Sequence, residues 1–286
     1  VNGVDMHIER GDIYGFVGEN GSGKTTVIRL ITGLISPTAG SFQLFGVEHR
    51  SNEISSARSR IGAVVETPSI YLNMSAYDNL KTQSAICGVD SDEKIRSVLQ
   101  DVGLSSLYAD KKQAGNFSLG MRQRLGIAMA LLSDPEFLIL DEPMNGLDPA
   151  GIVEIRELIL KLNRERHITF LISSHILTEL SLIATKYGII SKGKLIREIT
   201  ARQLQQECSK TICICTDDPQ KLLQIVQDTT SCPCEGIADG VKILGDPELN
   251  TLLAAILAGG VRILSIHCSQ TSFEDYYLSL IGGAHK

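Results

Sequence analysis

Residues 18–26 read Gly-Glu-Asn-Gly-Ser-Gly-Lys-Thr-Thr, a complete loop of the form G-x-x-x-x-G-K-T. An apolar run, Ile13 to Val17, precedes it, and the helical pattern Val27, Ile28, Leu30, Ile31 follows. Strand, glycine-rich turn and helix in that order form the setting in which this motif cradles phosphates. The feature commits the chain to an α/β fold and to a nucleoside triphosphate carried with Mg²⁺. Gly18, Gly21 and Gly23 are expected to turn the backbone so that N–H groups approach phosphate oxygens. The helix starting near Lys24 adds its partial positive charge. Lys24 would reach the β- and γ-phosphates, and the Thr25 hydroxyl would ligate Mg²⁺. Thr26 would hold the α/β-phosphate end, and Glu19, Asn20 and Ser22 complete the loop.

The rest of residues 1–200 alternates strand and helix. Gly40–Leu44 and Ile61–Val65 read as strands, the latter ending before Pro68. Ser75-Ala-Tyr-Asp78 has the form of a helix cap. Ile95, Val98, Leu99 and Val102 fall at helical spacing, as do Met121, Leu125, Ala128, Met129 and Leu132, so a helical insertion is expected near 68–132. Phe137–Leu140 and Ile168–Ile172 are short apolar runs suited to buried parallel strands. Asp148-Pro149 starts a helix through Ile152, Ile155, Ile159 and Leu162. Tyr187–Ile190 and Lys194–Ile199 flank the turn Ser191-Lys192-Gly193 as a hairpin.

Composition shifts near residue 200. Residues 201–286 read as strand 211–216, helix 219–228, two strands around Asp239-Gly240, helix 247–258 and strand 261–268. The order β-α-β-β-α-β is that of a small ferredoxin-like α+β domain. Six of the seven cysteines lie here. Cys213 and Cys215 would share one strand face, and Cys232 and Cys234 flank Pro233. The metal-binding spacing C-x₂-C is absent, so these thiols are expected to serve as small buried apolar groups.

With 286 residues, 43% of them apolar, and a net charge of −6, the chain suits roughly two globular domains and argues against a nucleic-acid binder. It carries no apolar run long enough to span a bilayer and no signal peptide, so it is expected to be soluble or peripheral. A nucleotide-hydrolysing machine works in the cytosol, where thiols stay reduced.

Three further segments bear chemistry. Phe137-Leu-Ile-Leu-Asp141-Glu142 is an apolar strand ending in two carboxylates, at the edge where parallel sheets meet their ligands. Asp141 is placed to hold magnesium through water and Glu142 to polarise the attacking water. Ser118-Leu-Gly120 opens a helix, where a hydroxyl and an N–H would face a phosphate. Ser173-Ser-His175 closes a strand, leaving His175 in reach of a γ-phosphate.

Taken together, these residues resemble the ATP-binding subunit of ABC transporters, a P-loop NTPase fold with a helical subdomain. The resemblance covers residues 1–200. It implies Gly18–Thr26 as Walker A, Ser118–Gln123 as the signature segment, Leu138–Glu142 within Walker B, Asn145–Asp148 as the D-loop and His175 as the switch histidine. It also implies a dimer of two copies. Each ATP would lie between the Walker A of one copy and the signature of the other, so that Ser118 serves the second copy's nucleotide; Gly120 and Asp148 are implied as further nucleotide-binding residues. A membrane permease would be attached at the cytoplasmic face of the bacterial membrane.

The chain departs from the family pattern at three places. The signature reads Phe117-Ser-Leu-Gly-Met121 rather than L-S-G-G-Q, and Glu66 stands where the family has glutamine. Both variants resemble the subfamily that exports bacitracin and lantibiotics and confers self-immunity. Glu66 offers a charge and no donor where Gln offers both an amide donor and a carbonyl, and it is expected to contact the metal or its water. The adenine-stacking aromatic residue of the family is not found, and a missing N-terminal stretch is the expected reason. An ABC ATPase acting on ribosomes or DNA would call for paired nucleotide domains or a long coiled coil with basic surfaces, which are not seen. A non-hydrolysing ATP sensor would typically lack the base at position 142. The ending Thr271-Ser-Phe-Glu-Asp275 with Tyr276, Tyr277 and Leu278 resembles the tail of many exporter ATPases, and its role stays open between dimer contact, permease contact and core cover.

Overall fold

The computed structural model describes residues 1–89, 91–208 and 210–282. The chain divides into two compact units, with the break after Ala201.

The first unit is built on a six-stranded sheet of β1 (Ile13–Val17), β2 (Ile61–Val64), β3 (Phe137–Asp141), β4 (Thr169–Ser174), β5 (Lys186–Ser191) and β6 (Lys194–Thr200), in the spatial order β2-β3-β4-β1-β5-β6. All neighbours are parallel except the β5–β6 hairpin. β1, β3 and β4 are buried along their whole length, as strands covered on both faces must be. The strand expected over 40–44 shrinks to Gln43–Leu44 paired with Val47–Glu48, because Pro37 and Gly40 break the run before it gains length.

Helix α1 (Lys24–Thr32) follows β1 directly. Helices α2 (Ala76–Ile86), α3 (Asp92–Asp101) and α4 (Leu119–Leu131) pack on one another through fully buried Leu80, Ile95, Leu99 and Leu125. Ser75 and Asp78 form a reciprocal capping box at the start of α2, and Ser91 caps α3. Helix α5 (Pro149–Arg166) begins with Pro at its first position.

The register places the ends of three strands at one level. Val17 lies opposite Ser174, and Asp141 opposite Ser173. The loops leaving β1, β3 and β4 therefore open on the same edge of the sheet, the carboxyl edge where α/β sheets bind ligands.

The second unit has an antiparallel four-stranded sheet of β7 (Lys210–Thr216), β8 (Cys234–Ile237), β9 (Gly240–Leu244) and β10 (Ile263–Gln270), ordered β8-β9-β7-β10. With α6 (Pro219–Thr229) and α7 (Leu249–Ala258), this is the ferredoxin-like arrangement. Ile212, Ile214, Val241 and Ile243 meet Leu222, Val226, Leu252 and Ile256 in its core. The alternation that buries Ile212 and Ile214 turns Cys213 and Cys215 to the other face. The expectation of small buried apolar thiols holds in part: Cys232 and Cys234 are half-buried against this core, whereas Cys208, Cys213 and Cys215 are only half-buried and Cys268 is exposed. Among the described residues no group of three or more ligands could hold a metal.

Two further helices complete the described chain, Ala201–Glu207 and α8 (Phe273–Gly282), the latter burying Phe273, Tyr276 and Tyr277 at helical spacing. Ser272 and Asp275 start α8 with a second reciprocal cap, Asp275 N donating to Ser272 Oγ at 3.0 Å and Ser272 N to Asp275 Oδ2 at 3.3 Å. No helix among the described residues is long and apolar enough to cross a membrane.

Candidate nucleotide site

Between β1 and α1 the loop Gly18–Thr26 wraps an open cavity lined by Asn20, Gly21, Gly23, Lys24, Thr25, Thr26 and Glu142. Its glycines act for different reasons. Gly23 adopts φ 112° at the start of α1, a conformation that side chains disfavour. Gly18 is needed for space, since a Cβ there would sit 2.4 Å from the Ile190 carbonyl oxygen. Because the helix starts on glycine, no side chain claims the first-turn N–H groups of α1. At α4 and α5, by contrast, Ser118 Oγ accepts from Met121 N at 3.2 Å and Asp148 Oδ1 accepts from Gly151 N at 3.1 Å. An uncapped helix N-terminus opening on a cavity suits an anion.

Lys24 is 5% exposed. Its ammonium donates to the carbonyl oxygens of Gly18 at 2.6 Å and Glu19 at 3.2 Å and lies 3.2 Å from Glu142 Oε1. One turn of α1 begins at Thr25, whose hydroxyl donates to Asp141 Oδ2 at 2.9 Å. The other oxygen of Asp141 accepts from the Ser173 hydroxyl, which in turn accepts from the Glu142 backbone N–H at 2.9 Å. Glu142 Oε2 lies 2.7 Å from His175 Nδ1. Nδ1–H donates to the carboxylate, leaving Nε2 for other partners. Lys24, Asp141, Glu142 and His175 thus meet in one network across β1, β3 and β4.

Ser22 Oγ is buried in this loop without a hydrogen-bond partner, while Glu142 Oε1 has the Lys24 ammonium beside it. A buried hydroxyl left unpaired calls for a ligand. Together with the uncapped α1 and an ammonium now satisfied only by carbonyls and a carboxylate, it fits a triphosphate. The Thr25 hydroxyl and the Asp141 carboxylate are hard oxygen donors suited to Mg²⁺.

Not every candidate joins this cluster. Glu66, with φ 61°, pairs with Arg29 at 2.5 Å. Ser118 and Asp148 spend their side chains on their own helices, and at Gly120 a Cβ would meet Leu147 and Gly151 only at ordinary van der Waals distance. Ser173 and Arg29 were not among the residues expected at the site. A small polar residue at the end of an apolar strand, just before His175, was the available signal for Ser173. Nothing in the spacing marks Arg29.

The family model for ABC transporters matches residues 1–145. The chain belongs to the ABC transporter family. It is 43% identical to the bacitracin transport ATP-binding protein BcrA of Bacillus licheniformis, across 99% of this chain and 92% of that protein. It is 45% identical to the lantibiotic transport ATP-binding protein SrtF of Streptococcus pyogenes, across 69% of this chain and 83% of the other. Among solved structures, cbiO1 from Clostridium perfringens, part of the cbiONQ transporter complex, superposes with a TM-score of 0.64. It is 28% identical and aligns over 71% of this chain and 82% of its own. As an ABC transporter ATP-binding subunit, the chain is an ATPase whose hydrolysis is coupled to transport.

Proposed function

We propose that this chain powers export of a peptide antibiotic of the bacitracin or lantibiotic type and so confers immunity. Two copies would close head to tail on two ATP molecules, beneath a permease at the cytoplasmic face of a bacterial membrane. The observation that carries the catalytic reading is the network joining Lys24, Glu142 and His175 within hydrogen-bond distances. The peptide class is supported by what its relatives are named for and by Glu66 and Phe117–Met121, where the chain leaves the common pattern.

Each residue then has a task. Lys24 neutralises the terminal phosphates and exchanges its carbonyl partners for their oxygens. Glu142 accepts the proton of the attacking water. His175 fixes the Glu142 carboxylate through Nδ1 and leaves Nε2 for the nucleotide. Ser22 Oγ and the N–H groups of Gly21 to Thr26 bind phosphate oxygens. Thr25 and Asp141 would hold Mg²⁺, which when bound offsets the charge of the phosphates. Ser118, Gly120 and Asp148 would face the nucleotide of the second copy.

Substituting Glu142 by Gln tests the reading. The variant is expected to bind ATP, to lose turnover roughly 10²–10⁴-fold and to accumulate as a dimer on size-exclusion chromatography with ATP. Undiminished turnover would contradict it.

A further inference from the structure

The ion pair between Arg29 Nη2 and Glu66 Oε1, at 2.5 Å, lies outside the network that the reaction uses. Arg29 sits four residues after Thr25 on α1, so the two share a helix face one turn apart. Glu66 follows β2, whose Val64 is level with Leu140 of β3. Glu66 therefore stands on the same crest as Glu142. Its backbone, at φ 61°, is in a conformation that non-glycine residues adopt only when the surroundings hold them. Two residues on, the ring of Pro68 fills the space over Gly126 of α4. The turn is thus held on the α1 side by a charge and on the α4 side by packing.

We propose that Arg29 is a positioning residue for Glu66, holding its carboxylate by an ion pair from the helix turn that follows Thr25. The proposal rests on the function given above and extends it. A glutamine at 66 brings no charge to a crest that must face a triphosphate. A glutamate brings a charged, flexible carboxylate there, which can serve a metal's shell only if something holds it in place. Arg29, ion-paired to Glu66, is the group that anchors it where it can meet the shell of a nucleotide-bound metal. A merely superficial salt bridge would predict the opposite behaviour, with both residues replaceable singly and without consequence.

The test uses the full chain and a fluorescent, non-hydrolysable ATP analogue, with affinity measured in Mg²⁺ and in EDTA. The readout is the ratio of the two affinities, alongside the thermal unfolding midpoint. R29Q is expected to lower the ratio about threefold to fivefold, the size an ion pair with this exposure supports. R29K should retain most of it, and binding in EDTA and the midpoint should hold. In an E66Q background, R29Q should change the ratio by less than about 1.5-fold, because the neutral side chain needs no counter-ion. Equal losses in both backgrounds, or no loss in either, would overturn the assignment. If that happens while the unaltered chain still binds and hydrolyses ATP, the functional reading survives and only the role of Arg29 falls.

Discussion

Replacing Ser173 by alanine removes one hydroxyl that serves two acidic residues. Ser173 is fully buried; it donates to Asp141 Oδ1 and accepts from Glu142 N at 2.9 Å. Asp141 is 1% exposed, so water does not replace the lost donor. A hydrogen bond to a charged group contributes about 1.5–3 kcal/mol. The Glu142 N–H keeps a bond to the Ser173 carbonyl at 3.2 Å, so the second loss is small. The total is roughly 2–3 kcal/mol, which in a unit of this size lowers the unfolding midpoint by about 4–12 °C. The carboxylate of Asp141 would also lose its orientation toward Thr25, and Glu142 one of its anchors, so kcat should fall about tenfold or more. Differential scanning fluorimetry and phosphate-release kinetics on S173A, with S173T as the hydroxyl-retaining control, measure both. A midpoint within about 1 °C of the parent together with an unchanged kcat would show that Ser173 is not the tie between the two strands.

Two further outcomes follow from packing and charge. At Gly126 a Cβ would lie 2.5 Å from Pro68 Cβ; G126A should therefore lose about 1 kcal/mol despite its better helix propensity, and adding P68A should recover it on thermal unfolding. Glu198 is partly buried, which alone would raise its carboxyl. The His7 N–H, the Lys186 ammonium and the Tyr14 hydroxyl outweigh this and hold it below the ordinary glutamate value. A depressed carboxyl contributes stability above the ordinary value of about 4.3 and loses it as the pH falls. E198Q should thus be less stable than the parent at pH 7, with the gap closing below about pH 4; a constant gap across chemical or thermal unfolding at both pH values would refute it.

The site was legible where its chemistry is written in consecutive residues. The stretch Gly18–Thr26 and the strand end Asp141-Glu142 are local patterns, and the register of parallel strands brings them together. Partners across strands were harder to read. Ser173 matters because it stands opposite Asp141, and strand order is not a local property. Arg29 matters through a turn whose backbone angle no side-chain pattern announces. Cys213 and Cys215 were misjudged for a related reason: alternation fixed that they share a face, but the neighbouring Ile212 and Ile214 decided which face was buried. The strand expected over 40–44 was drawn too long because two residues of ladder leave little alternation to find, and the helix 273–282 was not expected although Phe273, Tyr276 and Tyr277 share its buried face.

The backbone of Glu142 is held at φ 51°, and this governs how its chemistry can be removed cleanly. Glutamine keeps the side-chain length and a flexible Cβ, so it silences proton acceptance while the loop stays as it is. Valine or isoleucine, branched at Cβ, would resist that left-handed twist and pull on the crest. An inactive branched variant would therefore report a distorted scaffold rather than a missing base, and only amide or short polar replacements separate the two.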